Sequence, residues 1–109
     1  RGAKAENIVL AAKRLGFDAL IEDMADFDDI KKYLDKKIPV IVDWFSETEG
    51  HYSVAVGINK KNIYLQDPEI GSMRKLPLET FKRIWFDFPG TFIKSKDNII
   101  LRRIIVVQK

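Results

Sequence analysis

The apolar residues of this chain follow two periods, one typical of helices and one typical of strands. Helical spacing comes first, and it predicts an amphipathic helix over residues 3–15 that ends at Gly16. The predicted inner face of that helix consists of Ile8, Ala11, Ala12 and Leu15. Apolar residues then recur at every second position, at Phe17, Ala19 and Ile21, which predicts a short strand.

An acidic stretch over residues 22–29 leads into a second predicted helix. Asp26 or Asp28 is the predicted N-cap, because a short carboxylate side chain accepts hydrogen bonds from the first free N–H groups. The body of the helix covers residues 30–34. We expect it to end before Pro39, since the residue before a proline disfavours the helical conformation.

Residues 39–68 are rich in β-branched and aromatic residues, which predicts three strands. The polar turn at residues 59–62 makes the second and third strands antiparallel neighbours. If the hairpin folds symmetrically about this turn, Asp67 falls opposite Val54 and about three residues from His51. A small bulge or a curl of the chain would then bring the two side chains together.

The last third of the chain predicts a brief extended piece over residues 73–76, a helix that begins near Pro77, and a closing hairpin. An apolar stripe on that helix, which we assign to the core, contains Phe81, Ile84 and Trp85. The hairpin would join residues 91–93 to residues 98–107. This order of elements predicts an α+β fold with an antiparallel sheet, and without repeats or linkers residues 1–109 form one domain.

Composition narrows the classes of function. The chain has 109 residues with 46% hydrophobic and 32% charged residues, as in a globular domain. Its net charge of +3 comes largely from scattered lysine pairs, which are typical of solvated turns, so we expect no nucleic acid partner. No cysteine is present, which removes disulfides, zinc–thiolate sites and thiol catalysis from within this chain. No apolar run approaches the roughly 18 residues of a membrane span, and the first residues lack the apolar region of a signal peptide. Together with the absence of cysteine, this leads us to expect a cytoplasmic protein.

His51, the single histidine, and Asp67 are the candidate catalytic residues. An acid beside a histidine fixes its tautomer and stabilises the imidazolium, which is the orienting half of a nucleophilic triad. The nucleophile is missing, because there is no cysteine and no serine in a Gly-x-Ser-x-Gly turn. The alternatives are a structural histidine, or a metal site of His51 with Asp43, Glu47 or Glu49. One imidazole among loop acids is a weak ligand set, so we expect no metal and no cofactor.

Three motifs in this region resemble one family. They are the sequences GHYSVAVGI at residues 50–58, NIYLQDP at residues 62–68 and LPLETF at residues 76–81. They resemble the bacteriocin-processing peptidases that cleave after a double-glycine leader, which are papain-like cysteine proteases found in peptide-exporting ABC transporters and as free-standing relatives. The resemblance covers about residues 2–88. It implies that His51 is the catalytic histidine and that Asp67 orients it.

The resemblance also implies a papain-like fold that lacks its nucleophile helix here. The family's cysteine and the glutamine of its oxyanion hole lie on an amino-terminal segment that has no match in this chain. We therefore expect no peptidase activity from this chain alone. Two hypotheses stay open: it is the His/Asp part of a leader peptidase whose thiol comes from other sequence, or it is a non-catalytic peptide-binding or structural module on the same scaffold.

Partners follow from the missing segment. We expect a peptide substrate or leader peptide, and the protein would be free in the cytoplasm or tethered to a transporter. Without the segment, Trp44 and Tyr52 should be uncovered, followed by the inner side of the first helix. Self-association, an upstream segment or a bound peptide should cover that face, because monomers rarely expose large apolar patches.

Overall fold

A computed structural model describes residues 5–46, 49–67, 71–88 and 96–109 of the chain. Within these ranges it contains three α-helices, eight strands and one short 3₁₀ helix at Lys96–Asn98. The helices are α1 (Ala5–Arg14), α2 (Phe27–Asp35) and α3 (Leu78–Ile84). The strands are β1 (Asp18–Glu22), β2 (Val40–Ser46), β3 (Glu49–Ile58), β4 (Asn62–Gln66), β5 (Met73–Pro77), β6 (Phe86–Asp87), β7 (Ile100–Leu101) and β8 (Arg103–Gln108).

Six of the strands form one antiparallel sheet in the order β1-β8-β2-β3-β4-β5, and β6 pairs with β7. The α+β prediction is therefore confirmed, as are the three central strands and the extended piece that becomes β5. This antiparallel sheet with its helices is compatible with a papain-like peptidase fold.

The predicted closing hairpin is wrong in its pairing. Strand β8 lies between β1 and β2 and pairs with both, so neither of its edges is left for a hairpin partner. Residues 91–93, which were to be that partner, lie outside the described residues. The reason is burial: Ile104, Ile105 and Val106 are all fully buried, and a strand that is apolar on both faces belongs in the interior of a sheet.

The first helix forms as predicted and ends at Gly16, whose φ of +88° is a left-handed conformation that favours glycine. Its predicted inner face is correct at the buried Ala12 and the half-buried Ile8, and wrong at Ala11 and Leu15. Ala5 and Ala12 are buried, whereas Ala11 is exposed and Leu15 is 76% exposed. The small alanine side chains allow α1 to pack closely on β1 and β8, and this contact decides which face turns inward.

Helix α2 begins at the predicted cap. An Asp26 carboxylate oxygen accepts a hydrogen bond from Asp29 N at 2.9 Å, and an Asp29 carboxylate oxygen accepts one from Asp26 N at 2.9 Å. This reciprocal capping box satisfies two N–H groups that the helix itself leaves free. The fixed start directs Ile30 into the core, where it is fully buried.

One face of the large sheet packs on α2 and α3 around Phe81. The Phe81 ring lies 6.3 Å from Phe27, 6.1 Å from Trp44 and 5.4 Å from Trp85, measured between ring centroids. Phe81 and Trp85 are buried, which confirms their assignment to the core. Trp44 is only 2% exposed, so the expectation of an uncovered Trp44 is wrong: Phe81 closes that part of the face. Tyr52 is half-buried.

An ion pair joins the loop after β1 to β8. The Arg103 guanidinium donates to both oxygens of Asp23, at 2.6 and 2.9 Å. This hydrogen-bonded carboxylate raises the pKa of Arg103 above its ordinary value, against the opposing effect of partial burial. Among the described residues, no helix combines the length and the apolar character needed to cross a membrane.

Candidate active site

Strands β2 and β3 place His51 against an aromatic wall. His51 pairs with Trp44 across the ladder, and the two rings meet edge to face, with centroids 5.6 Å apart and planes at 87°. Trp44 is itself fixed, since its Nε1–H donates to Ser53 Oγ at 3.0 Å. A buried indole held by a hydrogen bond therefore sets the position of the imidazole.

The register between β3 and β4 differs by one residue from the symmetric hairpin predicted from the sequence. A bulge lies between Ala55 and Gly57, and beyond it Val54 pairs with Gln66. Asp67 was predicted to lie opposite Val54, and this is wrong. A bulge adds one unpaired residue to a strand, so every later pair moves by one position.

This shift decides which face of the sheet carries the carboxylate. Asp67 is the next residue along β4, level with Ser53, and Ser53 shares a face with His51 because strand side chains alternate. Without the bulge, Asp67 would be level with Val54 and would point to the opposite face. Gly57 lies at the bulge, and a glycine inside a strand is typical of such positions.

The two candidate residues are in contact. His51 Nε2 lies 2.7 Å from Asp67 Oδ2, so the expected hydrogen-bond distance is observed. The Asp67 side chain is 1% exposed and that of His51 is 15% exposed. The backbone at Asp67 is held as well, because its carbonyl accepts from Gly71 N at 2.9 Å, where φ is +65°. This hydrogen bond holds the backbone that carries the carboxylate.

Arg74 is a third member of the site that the sequence did not reveal. It lies on β5, where Leu65 is its ladder partner, and its Nη2 is 3.5 Å from the same Asp67 oxygen. Its guanidinium carbon also lies 5.8 Å from the centre of the Trp44 ring. His51, Asp67, Arg74 and Trp44 therefore form a closed ring of contacts. Strand β5 carries two adjacent basic residues, Arg74 and Lys75, and its sequence does not tell which of them faces Asp67.

Gly50 permits a close approach beside the histidine. A Cβ built on Gly50 would stand 2.5 Å from Asp87 Oδ2 and 2.6 Å from Asp87 Cγ, which real atoms do not tolerate. The buried Asp87 carboxylate therefore packs directly on the backbone that precedes His51. This explains the glycine of the Gly50-His51 motif by packing, with no need for an unusual backbone conformation.

The described residues give no support to a metal site of His51 with Asp43. Asp43 is the ladder partner of Tyr52, so it lies on the face of the sheet opposite His51. Within the described ranges, no three metal-ligating side chains gather in one place. Glu47 and the side chain of Glu49 lie outside the described part of the chain.

The geometry assigns different tasks to the two ring nitrogens. Nε2 faces the carboxylate, so in the neutral imidazole the proton belongs on Nε2 and the lone pair belongs on Nδ1. Within the part of the chain that the structure describes, Nδ1 makes no hydrogen bond. A group that approaches Nδ1 would find a proton acceptor, while Nε2 on the other side of the ring is hydrogen-bonded to the Asp67 carboxylate.

Comparison with known proteins assigns the chain to a family. No curated protein matches the chain. The family model described as the peptidase C39 family matches residues 1–96. This stretch contains His51, Asp67 and Arg74 as well as Trp44, and it covers most of the chain. The chain therefore belongs to the peptidase C39 family and is a peptidase-like domain.

Proposed function

We propose that this chain is the His/Asp-bearing part of a cysteine peptidase that cleaves peptides after a double-glycine leader. The thiol would come from residues outside this chain, which has no cysteine. The observation that carries the proposal is the 2.7 Å contact between His51 Nε2 and the buried Asp67 carboxylate, with Nδ1 on the other side of the ring. His51 and Asp67 are the proposed catalytic pair.

The chemistry follows from the two nitrogens. Nδ1 takes the proton of the incoming thiol, and the thiolate attacks the scissile carbonyl carbon to form a C–S bond. The peptide C–N bond breaks when Nδ1–H returns the proton to the leaving amine, and water then hydrolyses the thioester. Asp67 holds the Nε2 proton throughout and stabilises the imidazolium.

Arg74 supports this arrangement from the far side. A carboxylate that is 1% exposed is costly unless it is paired and hydrogen-bonded. The Arg74 guanidinium at 3.5 Å stabilises the ionised form of Asp67 while His51 is neutral. Asp67 can then orient the imidazole in both of its protonation states.

Leader specificity, a cytoplasmic location and association with an ABC transporter are finer parts of this proposal. Their support is the motif resemblance at residues 50–58 and 62–68. We also propose that residues 1–109 form one domain.

The proposal is tested by adding the upstream sequence that would carry the catalytic thiol. The chain is expressed together with the coding sequence immediately upstream in its gene, through the first codons for cysteine and glutamine, and cleavage of a fluorogenic double-glycine leader peptide is measured. We expect turnover that His51→Ala lowers by about 10³-fold or more, with Asp67→Asn also impaired. The exposed Asp35→Asn should leave turnover unchanged. Turnover that survives His51→Ala would refute the assignment, as would cleavage by the chain alone.

A second candidate is a non-catalytic peptide-binding or structural module on the same scaffold. The absence of cysteine from all 109 residues favours it. In that case the reading frame begins near this chain or continues upstream without a cysteine. The longer protein would then bind the leader peptide without cleaving it.

A further inference from the structure

A cleft of about 720 Å³ lies between the start of α2, the helix α3 and the strand β7. None of its lining residues is His51, Asp67 or Arg74. It is therefore separate from the proposed catalytic pair, and an inference about it does not rest on the peptidase proposal.

The rim of the cleft carries two pairs of cations. Lys60 and Lys61 lie on the turn between β3 and β4, and Lys82 and Arg83 lie in the last turn of α3. In the described part of the chain, none of these four side chains makes an ion pair. The Lys61 carbonyl accepts a hydrogen bond from the N–H of the first residue of α3 at 2.8 Å, which holds the turn against the helix.

Positive charge dominates the cleft. Two acids, Asp26 and Glu79, line it together with the four rim cations and Arg102. Asp26 is already engaged, because its Oδ1 caps α2 by accepting from the Asp29 backbone. A carboxylate-bearing ligand would therefore meet an excess of positive charge that the protein does not itself compensate.

The floor of the cleft is apolar. Leu101 is 44% exposed and Leu78 is half-buried. The aromatic rings of the lining are themselves stacked: Phe27 lies on Trp85 at 5.5 Å, Phe86 lies on Phe45 at 5.2 Å, and Trp85 is 2% exposed. A nucleic acid base needs an open aromatic face on which to stack. Leucine side chains between cations instead fit a peptide whose apolar residues alternate with carboxylates.

We propose that this cleft binds an acidic, amphipathic peptide segment of a protein partner. The apolar side chains of the peptide lie on Leu78 and Leu101, and its carboxylates reach the four rim cations. Charge complementarity sets the specificity of such a contact and its rate of association.

The proposal is tested by fluorescence anisotropy on the whole chain with a labelled synthetic peptide of leucine and glutamate. An analogue with glutamine in place of glutamate, and an oligonucleotide of equal charge, serve as competing probes. We expect the double variant Lys82→Glu/Arg83→Glu to weaken binding of the glutamate peptide by about tenfold or more. The matched control is Lys13→Glu/Arg14→Glu, which makes the same change in the last turn of α1. It should change the affinity by less than about twofold, because neither residue lines the cleft.

Thermal melts establish that both double variants are folded, and the neutral Lys82→Gln/Arg83→Gln variant replaces the first if it is not. No binding of the glutamate peptide overturns the proposal. Equal weakening in both charge-reversal variants also overturns it, because net charge alone would then explain the effect. Equal affinity for the glutamine analogue would indicate an apolar groove, and tighter oligonucleotide binding would indicate a nucleic acid surface; either result contradicts the proposal.

Discussion

Asp67 is the buried charged residue that joins His51 and Arg74 in the site. Its carboxylate is almost completely buried, yet one oxygen contacts both His51 at 2.7 Å and Arg74 at 3.5 Å. Removing one member of a buried polar network leaves the others without compensation. The pair is therefore a structural unit as well as the proposed catalytic unit, and its effect on stability can be measured without a thiol.

Asp67→Asn keeps the shape of the side chain and removes its charge. We expect the free energy of unfolding to fall by about 1–3 kcal/mol, because hydrogen bonds to a charged group are lost at a buried position. In ¹⁵N NMR spectra the His51 ring should also lose its preference for the Nε2–H tautomer. Chemical denaturation of both proteins checks the first expectation.

The control for this prediction is Asp35→Asn. It breaks the ion pair between Lys31 and Asp35, whose side chains are 58% and 64% exposed, and solvent-exposed pairs contribute little. If Asp35→Asn costs as much stability as Asp67→Asn, the buried pair has no special role in the fold. An unchanged His51 spectrum in Asp67→Asn would show that the acid does not fix the tautomer.

At the scale of elements, the bulge in β3 brings the site together. Val56 is skipped in the ladder, and it is 47% exposed, so the extra residue is tolerated at the surface. The bulge lies in a strand between the turn and the site. Its position, more than the length of the turn, sets which residue of β3 is level with Asp67.

Deletion of Val56 removes the one extra residue that the bulge accommodates, so the site should stay intact. The pairs on both sides of the bulge stay in register, and Asp67 remains level with Ser53. We expect a folded protein whose free energy of unfolding is within about 1 kcal/mol of the parent, as for surface changes without a buried partner. The His51–Asp67 contact should persist in NMR spectra of the imidazole ring.

Deletion of Tyr64 is the contrasting variant, since it shortens β4 by one paired residue. Every later residue of β4 then moves to the other face, which turns the fully buried Leu65 out of the core and carries Asp67 away from His51. We expect a large loss of stability. Similar behaviour of the two deletions would contradict the role assigned to the bulge.

At the scale of the whole molecule, the site depends on the core beneath it. Phe81 of α3 is fully buried and packs on Trp44, and Trp44 is the wall for both His51 and Arg74. The same contact closes the face that the sequence had suggested would be open. The expectation of self-association consequently loses its leading residue, and it stays untested.

Phe81→Ala should lower the free energy of unfolding by about 3–5 kcal/mol through lost burial and the cavity left behind. Leu15→Ala on α1 is the control, because that side chain is 76% exposed and its truncation should change stability little. Thermal or denaturant unfolding measures both variants. A small effect of Phe81→Ala would mean that α3 does not hold the wall of the site.

The sequence alone determined the features that arise within one element. Asp26 as a cap, Gly16 as a stop and the β-branched and aromatic residues of β2 to β4 act locally, through hydrogen bonding and backbone preference, so a short window of sequence contains their cause. The sequence also identified His51 and Asp67, since each is marked by its residue type and its place in a motif.

Only the tertiary structure decided which side chains meet. The place of β8 inside the sheet, the inward face of α1 and the burial of Trp44 depend on packing between segments far apart in the chain. Arg74 enters the site through the pairing of β5 with β4, and the one-residue bulge puts Asp67 on the face of His51. The strand pattern predicts the two strands and the turn but does not show where an extra residue is placed, so the contacts of the folded sheet decided the position of the bulge.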